Sequence, residues 1–335
     1  MRDAFRARAA GAFAVALSTI ALLLAGIVAL AAAEMRVIDT PSRVVRIVET
    51  AAGEFAVLRD GSSFRLSRCD GEVICLRPAS VSGLQPKAPQ GGLPDGRVAT
   101  AGGADIRRAW YARPTTRYGH GVLGDAVEAG SLVAEDAAGR RYEHVLPETH
   151  VFEDITPRIA DLDGDGRNEV VTIRSSLSKG AAVAVLGLRD GRLVLLDATP
   201  EIGRPNRWLN IAGIADYTGA GVPVVAWVET PHIGGILKMA AFESGRLNVF
   251  ANTYSGFSNH FISSRELGLA ATGDFTGDGV PDLALPNADR RSLMIAARTG
   301  FEKIPLLARV AHAVVNVDGV IVTATEDGSL VAVVP

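Results

Sequence analysis

Three stretches decide the fold: Asp161-Leu162-Asp163-Gly164-Asp165-Gly166-Arg167-Asn168-Glu169, Asp216-Tyr217-Thr218-Gly219-Ala220-Gly221-Val222-Pro223-Val224 and Asp274-Phe275-Thr276-Gly277-Asp278-Gly279-Val280-Pro281-Asp282. They share one frame and start at nearly even intervals, as unrelated loops would not. A second feature recurs between them. Arg189-Asp190-Gly191-Arg192-Leu193 returns as Glu243-Ser244-Gly245-Arg246-Leu247 and, more weakly, as Arg298-Thr299-Gly300-Phe301. Each is a polar-glycine turn between apolar runs, which is what a β-hairpin needs. One unit is therefore four strands, placed around the second stretch at 208–215, 222–229, 236–242 and 246–251.

Four strands repeating about every 50 residues are the signature of propeller blades around a central axis. We expect an all-β chain, a β-propeller of six four-stranded blades near 44–77, 98–147, 151–200, 207–254, 265–308 and 309–335. Seven blades result if the proline-rich linker at 80–96 hides further strands. The last unit shows only three strands, at 314–317, 320–325 and 330–334, so 36–40 is expected to supply the fourth and join both chain ends in one blade.

Composition agrees with a folded domain and narrows its partners. Of 335 residues, 48% are hydrophobic and 21% charged, enough to bury a substantial core. The net charge of -3 removes the broad basic field of a general nucleic-acid binder. Arg2, Arg6 and Arg8 precede an uncharged run from Ala9 to Ala33 that ends in three alanines before Glu34, the pattern a signal peptidase cuts. Residues 1–33 are thus a signal peptide or, uncleaved, a membrane anchor, and 34–335 form a single exported domain, periplasmic or extracellular. There Cys69 and Cys75 are free to oxidise. They flank Asp70-Gly71, whose strict two-residue turn sets Cys69 opposite Glu72 and Cys75 opposite Leu66, which is not bridging geometry. A bond between them therefore demands a wider loop; otherwise they are two unpaired thiols in a hairpin.

The aspartate stretches carry metal chemistry. Carboxylates at positions 1, 3, 5 and 9 of a tight glycine-punctuated loop converge on one point, as a hard cation requires, and calcium is the natural choice. A helical calcium hand would place its last carboxylate at position 12, but Thr172 and Leu285 stand there. On these residues the chain resembles the FG-GAP, or VCBS, repeat family, whose calcium loop Asp-x-Asp/Asn-x-Asp-Gly-x-x-Asp joins adjacent strands of a propeller blade, as in integrin alpha-subunit heads. Asp161, Asp163 and Asp165 match, with Glu169 in place of the final Asp and the Arg167 carbonyl at position 7. Asp274, Asp278 and Asp282 match too, with Thr276 at position 3 and the Val280 carbonyl at position 7. The resemblance implies two structural calcium sites. In the middle copy Ala220 and Val224 replace two carboxylates, so it should keep the turn without the metal. The likeness is specific over 150–290 and weak elsewhere.

Antiparallel order sends alternate connections to opposite rims, so the aspartate loops and the hairpins share one. The other gathers Arg117, Tyr118, His120, Arg204, Asn206, Arg207, His232, Asn259, His260, Arg290 and Arg291, a surface for an anionic or glycan ligand. Integrin-like heads imply partner binding on that same rim. No nucleophile elbow, zinc helix or phosphate loop is present, the six histidines look scattered, and His144 and His150 make a poor metal pair. Trp110, Trp208 and Trp227 are expected to pack blades. The sequence thus favours a non-catalytic, calcium-binding module for a protein or glycan. The alternatives are a calcium-assisted propeller hydrolase or phosphatase, and an envelope scaffold.

Overall fold

The computed structural model describes residues 33–103 and 105–335; the expected leader at 1–33 lies, Ala33 apart, outside them. The described chain is all-β, and no helix occurs among the described residues. β1 (Glu34–Ile38) precedes a four-stranded antiparallel sheet of β2 (Val44–Thr50), β3 (Gly53–Leu58), β4 (Ser63–Cys69) and β5 (Glu72–Pro78). Next come β6 (Ala99–Thr100), β7 (Ile106–Thr115), β8 (Glu128–Asp136) and β9 (Arg141–Val145). β10 (His150–Phe152) pairs with β8 and with the following unit of β11 (Arg158–Ala160), β12 (Glu169–Ser176), β13 (Gly180–Arg189) and β14 (Arg192–Ala198). The result is one nine-stranded sheet containing two four-stranded units. A third sheet holds β15 (Leu209–Ala215), β16 (Val224–Glu229), β17 (Ile236–Glu243) and β18 (Arg246–Val249), with β19 (Tyr254–Ser255) on β17. A fourth holds β20 (Ala271–Gly273), β21 (Asp282–Pro286), β22 (Ser292–Ala297) and β23 (Gly300–Pro305). In the last, β24 (Val315–Val317), β25 (Val320–Ala324) and β26 (Leu330–Val334) are joined by β1.

Local chemistry explains the repeat. Asp190 and Gly191 have φ of 52° and 70°, and Ser244 and Gly245 of 53° and 77°. Two successive positive φ values make the turn whose twist matches the flanking strands, and glycine takes the second at no steric cost. Apolar residues then fill the space between sheets. Val171, Trp208, Val225 and Phe242 join the β11–β14 unit to β15–β18. Tyr217, Val228, Leu283 and Leu285 join that sheet to β20–β23, and Leu269, Ile295, Ile321 and Val333 carry the packing on to the terminal sheet. Ile47, Leu66, Val322 and Leu330 close the terminal sheet onto β2–β5. Trp110, Trp208 and Trp227 are all buried.

Two details depart from expectation. The added strand of the terminal sheet is Glu34–Ile38, two residues earlier than 36–40, with Arg36 opposite Ala332 in mid-register. Residues 39–40 belong to no strand and lead into a bend at 41–42, where the Thr40 hydroxyl donates to the Ser42 carbonyl. The cysteines are joined as a disulfide, with Cα atoms 5.9 Å apart. The two-residue turn is kept, since Cys69 faces Glu72, but the register shifts between Ser67 and Cys69, so Cys75 faces Ser67 instead of Leu66. A bulge at Arg68, not a wider loop, supplies the bridging geometry. Closing so short a loop restricts the unfolded chain only modestly. Reduction should therefore cost about 2 kcal/mol in urea unfolding, and a loss of folding on reduction would contradict that scale.

Candidate functional sites

At one end of the sheets stand the three aspartate loops, all built alike. The first carboxylate receives the backbone N–H five residues on, from Gly166 to Asp161 at 2.9 Å, Gly221 to Asp216 at 2.6 Å and Gly279 to Asp274 at 2.9 Å. The middle copy thus keeps the turn although it lacks two carboxylates. The residue at position 2 of each loop, Leu162, Tyr217 or Phe275, is buried in the core toward the next sheet.

Position 9 is where a cation would be felt. Glu169 and Asp282 begin β12 and β21 and are 0% and 1% exposed. Each spends one oxygen on backbone N–H groups: Glu169 accepts from Leu162, and Asp282 from Phe275 and Thr276. The other oxygen, Glu169 Oε1 or Asp282 Oδ1, is buried with no hydrogen-bond partner. Burial pushes the Glu169 carboxyl up to about 7 and raises Asp282 as well. Glu169 Oε1 faces the Arg189 guanidinium at 3.7 Å, beyond hydrogen-bond reach, and a buried carboxylate oxygen without a hydrogen bond at the last ligand position of both loops fits a calcium ion, which takes such oxygens and cancels the desolvation cost. In the first loop, oxygens of Asp161, Asp163 and Glu169 lie within 4.8 Å of one another. Asp165 turns instead to the Arg167 guanidinium, with Nε at 3.0 Å, and Asp278 to Arg298 at 3.1 Å. The Thr276 hydroxyl donates to Asp282. A groove of about 430 Å³ also lies at this end, lined by hairpin residues such as Asp136, Arg140 and Asp190.

The opposite end gathers side chains from five segments. Its assembly depends on Gly235, where a Cβ would lie 1.5 Å from the Phe257 carbonyl oxygen. That close approach docks loop 230–235 on segment 256–260 and brings His232 Nε2 within 2.8 Å of His260 Nδ1. His260 Nε2 in turn faces the Ser264 carbonyl at 3.0 Å. Burial holds both imidazoles near about 4, hence neutral at pH 7. Trp208 stacks on His232 at 6.1 Å and donates its indole N–H to the Glu153 carbonyl at 2.9 Å. Glu153, fully buried after β10, holds His120 Nδ1 at 2.7 Å on one oxygen and the Ser175 hydroxyl at 2.5 Å on the other. Burial pushes its carboxyl up, and those two partners oppose the push.

The histidines that look scattered in sequence are therefore three-sixths gathered: His120, His232 and His260 share one cluster. Tyr118 lies 5.7 Å from His120 and accepts the Asn206 N–H, with its phenol pushed up to about 12 by burial. Other expected rim residues are committed internally. Arg117 donates to the His150 carbonyl, Arg290 donates to the Val310 carbonyl and lies over Phe261, and Asn259 exchanges amide hydrogen bonds with Asn210 in the interior. Arg204, Asn206 and Arg291 are exposed, and Arg207 is half-exposed. Sequence reasoning missed Glu153 and also Glu128, which is 1% exposed with both carboxyl oxygens unpartnered.

No protein-family model and no curated protein matches the chain. Among solved structures it is similar to the exotype rhamnogalacturonan lyase YesX, at 16% identity and TM-score 0.45 over 89% of this chain and 66% of that one. The rhamnogalacturonan lyase PL11 of Bacillus licheniformis gives 15% and 0.43, over 88% and 66%. BamB from Moraxella catarrhalis gives 10% and 0.38, over 89% and 74%. The chain thus spans just under two thirds of the length of the two lyases. Likenesses at this level assign neither activity nor substrate to it.

Proposed function

We propose that the chain is an exported, calcium-braced β-propeller of six four-stranded blades, related to FG-GAP/VCBS repeats, that binds a protein or glycan and catalyses nothing. The nine-stranded sheet counts as two blades in this reading, with β10 as their shared seam. The orphaned oxygens of Glu169 and Asp282 support two structural calcium ions. The Cys69–Cys75 disulfide supports an oxidising compartment, periplasmic or extracellular, reached by a leader or held by an anchor at 1–33. Nucleic acid is not among the partners.

The observation that carries ligand binding is the convergence of His120 and His232 from separate loops at one end, braced by the buried Trp208 and His260, where Arg204, Arg207 and Arg291 stay accessible. Loops held by a rigid sheet scaffold are where binding sites arise. A screen of glycans and envelope proteins in the presence of calcium should return a ligand whose affinity falls at least about tenfold when Arg207, His232 and His260 are replaced together. Undiminished binding by that triple variant counts decisively against the face. The His120–Glu153 pair at 2.7 Å favours a second reading, a hydrolase using His120 as base. Turnover of a hydrolysable ligand, abolished in Glu153→Gln, would select it.

A further inference from the structure

Aliphatic tips and unpaired cations share the end opposite the aspartate loops. The three most exposed large apolar side chains among the described residues are Leu307, Ile233 and Ile262, at 74%, 63% and 62%. All three stand on strand connections that open at this end. Backbone hydrogen bonds lock those connections together in series. The Thr230 N–H donates to the Trp208 carbonyl at 2.9 Å, Gly256 to Gly235 at 2.9 Å, Ala288 to Gly256 at 2.8 Å and Leu306 to Arg291 at 2.8 Å. Arg207, Ile233, Ile262, Arg291 and Leu307 therefore follow one another over adjoining loops. Arg204 belongs with Arg207, since both carbonyls press on Gly180, 2.5 and 2.7 Å from the place of a Cβ. Arg204, Arg207 and Arg291 join no ion pair among the described residues, and acids nearby are engaged. Glu201 lies 3.6 Å from Arg174, Glu326 lies 3.8 Å from Arg309, and Asp289 accepts the Arg291 N–H at 2.8 Å.

Single exposed apolar residues are ordinary, but the three most exposed ones gathered on adjoining loops mark an interaction surface. We infer that this face docks a protein segment bearing aliphatic side chains flanked by carboxylates, with Ile233, Ile262 and Leu307 taking the former and Arg204, Arg207 and Arg291 the latter. The inference rests on the proposed ligand face and chooses between its two partner classes. A sugar is held by stacking on aromatic faces and by hydrogen bonds to its hydroxyls. Here Trp208 and Tyr118 are only 2% and 5% exposed, and branched aliphatic tips offer neither contact. Arginine around an apolar centre is instead the composition of a protein interface, and unpaired guanidinium groups select carboxylates on the partner. The route of the chain also turns this face away from any membrane held through 1–33. Ala33 enters β1 at the aspartate-loop end, where its N–H donates to Glu302 at 2.8 Å; Glu302 follows the hairpin whose Arg298 meets Asp278 at 3.1 Å.

The experiment pans a phage-displayed library of random dodecapeptides on the calcium-loaded full chain. Selected peptides should carry Leu, Ile or Val beside Asp or Glu. A synthetic peptide from the selection should bind at least about tenfold more weakly to Ile233→Ser/Ile262→Ser/Leu307→Ser, and likewise to Arg204→Ser/Arg207→Ser/Arg291→Ser. High salt should weaken it too. In the wild-type chain, methyl NMR should show this peptide shifting the Ile233 and Ile262 signals, a readout that decides even if a variant fails to fold. Basic or compositionally unbiased peptides, affinity unchanged in either variant, or unmoved isoleucine methyls overturn the inference. Alginate and vesicles of phosphatidylglycerol in phosphatidylcholine serve as competing probes. Alginate binding that falls when Arg207, His232 and His260 are replaced together, but not in the aliphatic variant, keeps the ligand face and overturns its assignment to a protein. Vesicle binding lost in the aliphatic variant makes the face a membrane surface and overturns the assignment equally. Failure of every probe on the wild-type chain removes the ligand face itself.

Discussion

Chelating calcium is expected to lower the melting temperature by about 10 °C. Each saturated site adds about 2.7 kcal/mol when free calcium is a hundredfold above its Kd, and a chain of this size shifts by about 2 °C per kcal/mol. Two sites give the stated figure. The cause lies in Glu169 and Asp282, each of which buries a carboxylate oxygen with no hydrogen-bond partner, that of Glu169 facing only the Arg189 guanidinium at 3.7 Å. The first loop also reaches its neighbour: the Asn168 amide donates to the Gly102 and Ile106 carbonyls, and its N–H donates to Asp105. A cation bound there would steady a sheet interface as well as a turn. Glu169→Gln and Asp282→Asn should each abolish about half of the calcium response. With chelator present the same variants should melt at or above the wild type, because each removes a buried carboxylate that lacks a hydrogen bond on one oxygen. Identical melting curves in calcium and in chelator would sink the assignment.

The sheets were legible because two local signals agree, polar-glycine turns and the apolar runs between them. Strands expected at 208–215, 222–229, 236–242 and 246–251 occur as Leu209–Ala215, Val224–Glu229, Ile236–Glu243 and Arg246–Val249. What a single residue decides was not legible. The bulge at Arg68 reverses the conclusion about Cys75, and no residue type marks it in advance. The charge of the opposite face was overread for a related reason, since sequence cannot say that Arg117 and Arg290 are turned onto carbonyls. The histidine cluster was half legible. Strand alternation places His120, His232 and His260 at one end, but the partners that fix their tautomers, Glu153 and Ser264, arrive through tertiary register and a glycine-permitted approach. The only sequence trace of Glu153 and Glu128 is an acid set beside an apolar strand, as in Val127-Glu128-Ala129 and Phe152-Glu153.

That trace leads to the second large effect, a loss of stability with rising pH that Glu128→Gln should remove. Phe152 pairs with Ala129 in antiparallel register, so Glu128 and Glu153 come opposite each other where β10 joins two four-stranded units. Burial is the main cause that pushes the Glu128 carboxyl up, to about 9, with Glu153, Asp125 and Asp95 adding to the push. Arg265 alone opposes it, and its guanidinium is already paired with Asp95 and Asp125. The unfolded chain ionises Glu128 near the ordinary 4.5, whereas the folded chain keeps the proton until about 9. Over that interval the folded state binds more protons, so its stability falls as pH rises, by up to the order of 5 kcal/mol between pH 5 and pH 9. Glutamine keeps the shape and never ionises. Urea unfolding across this range should therefore show wild type and Glu128→Gln alike near pH 5 and diverging above it, with the variant more stable. Arg265→Ala should steepen the wild-type slope by removing the one charge that favours the carboxylate. Two curves that stay parallel from pH 5 to pH 9 would mean that Glu128 ionises freely in the folded chain, and the seam between the two units would then have to hold a charge that no partner in it satisfies.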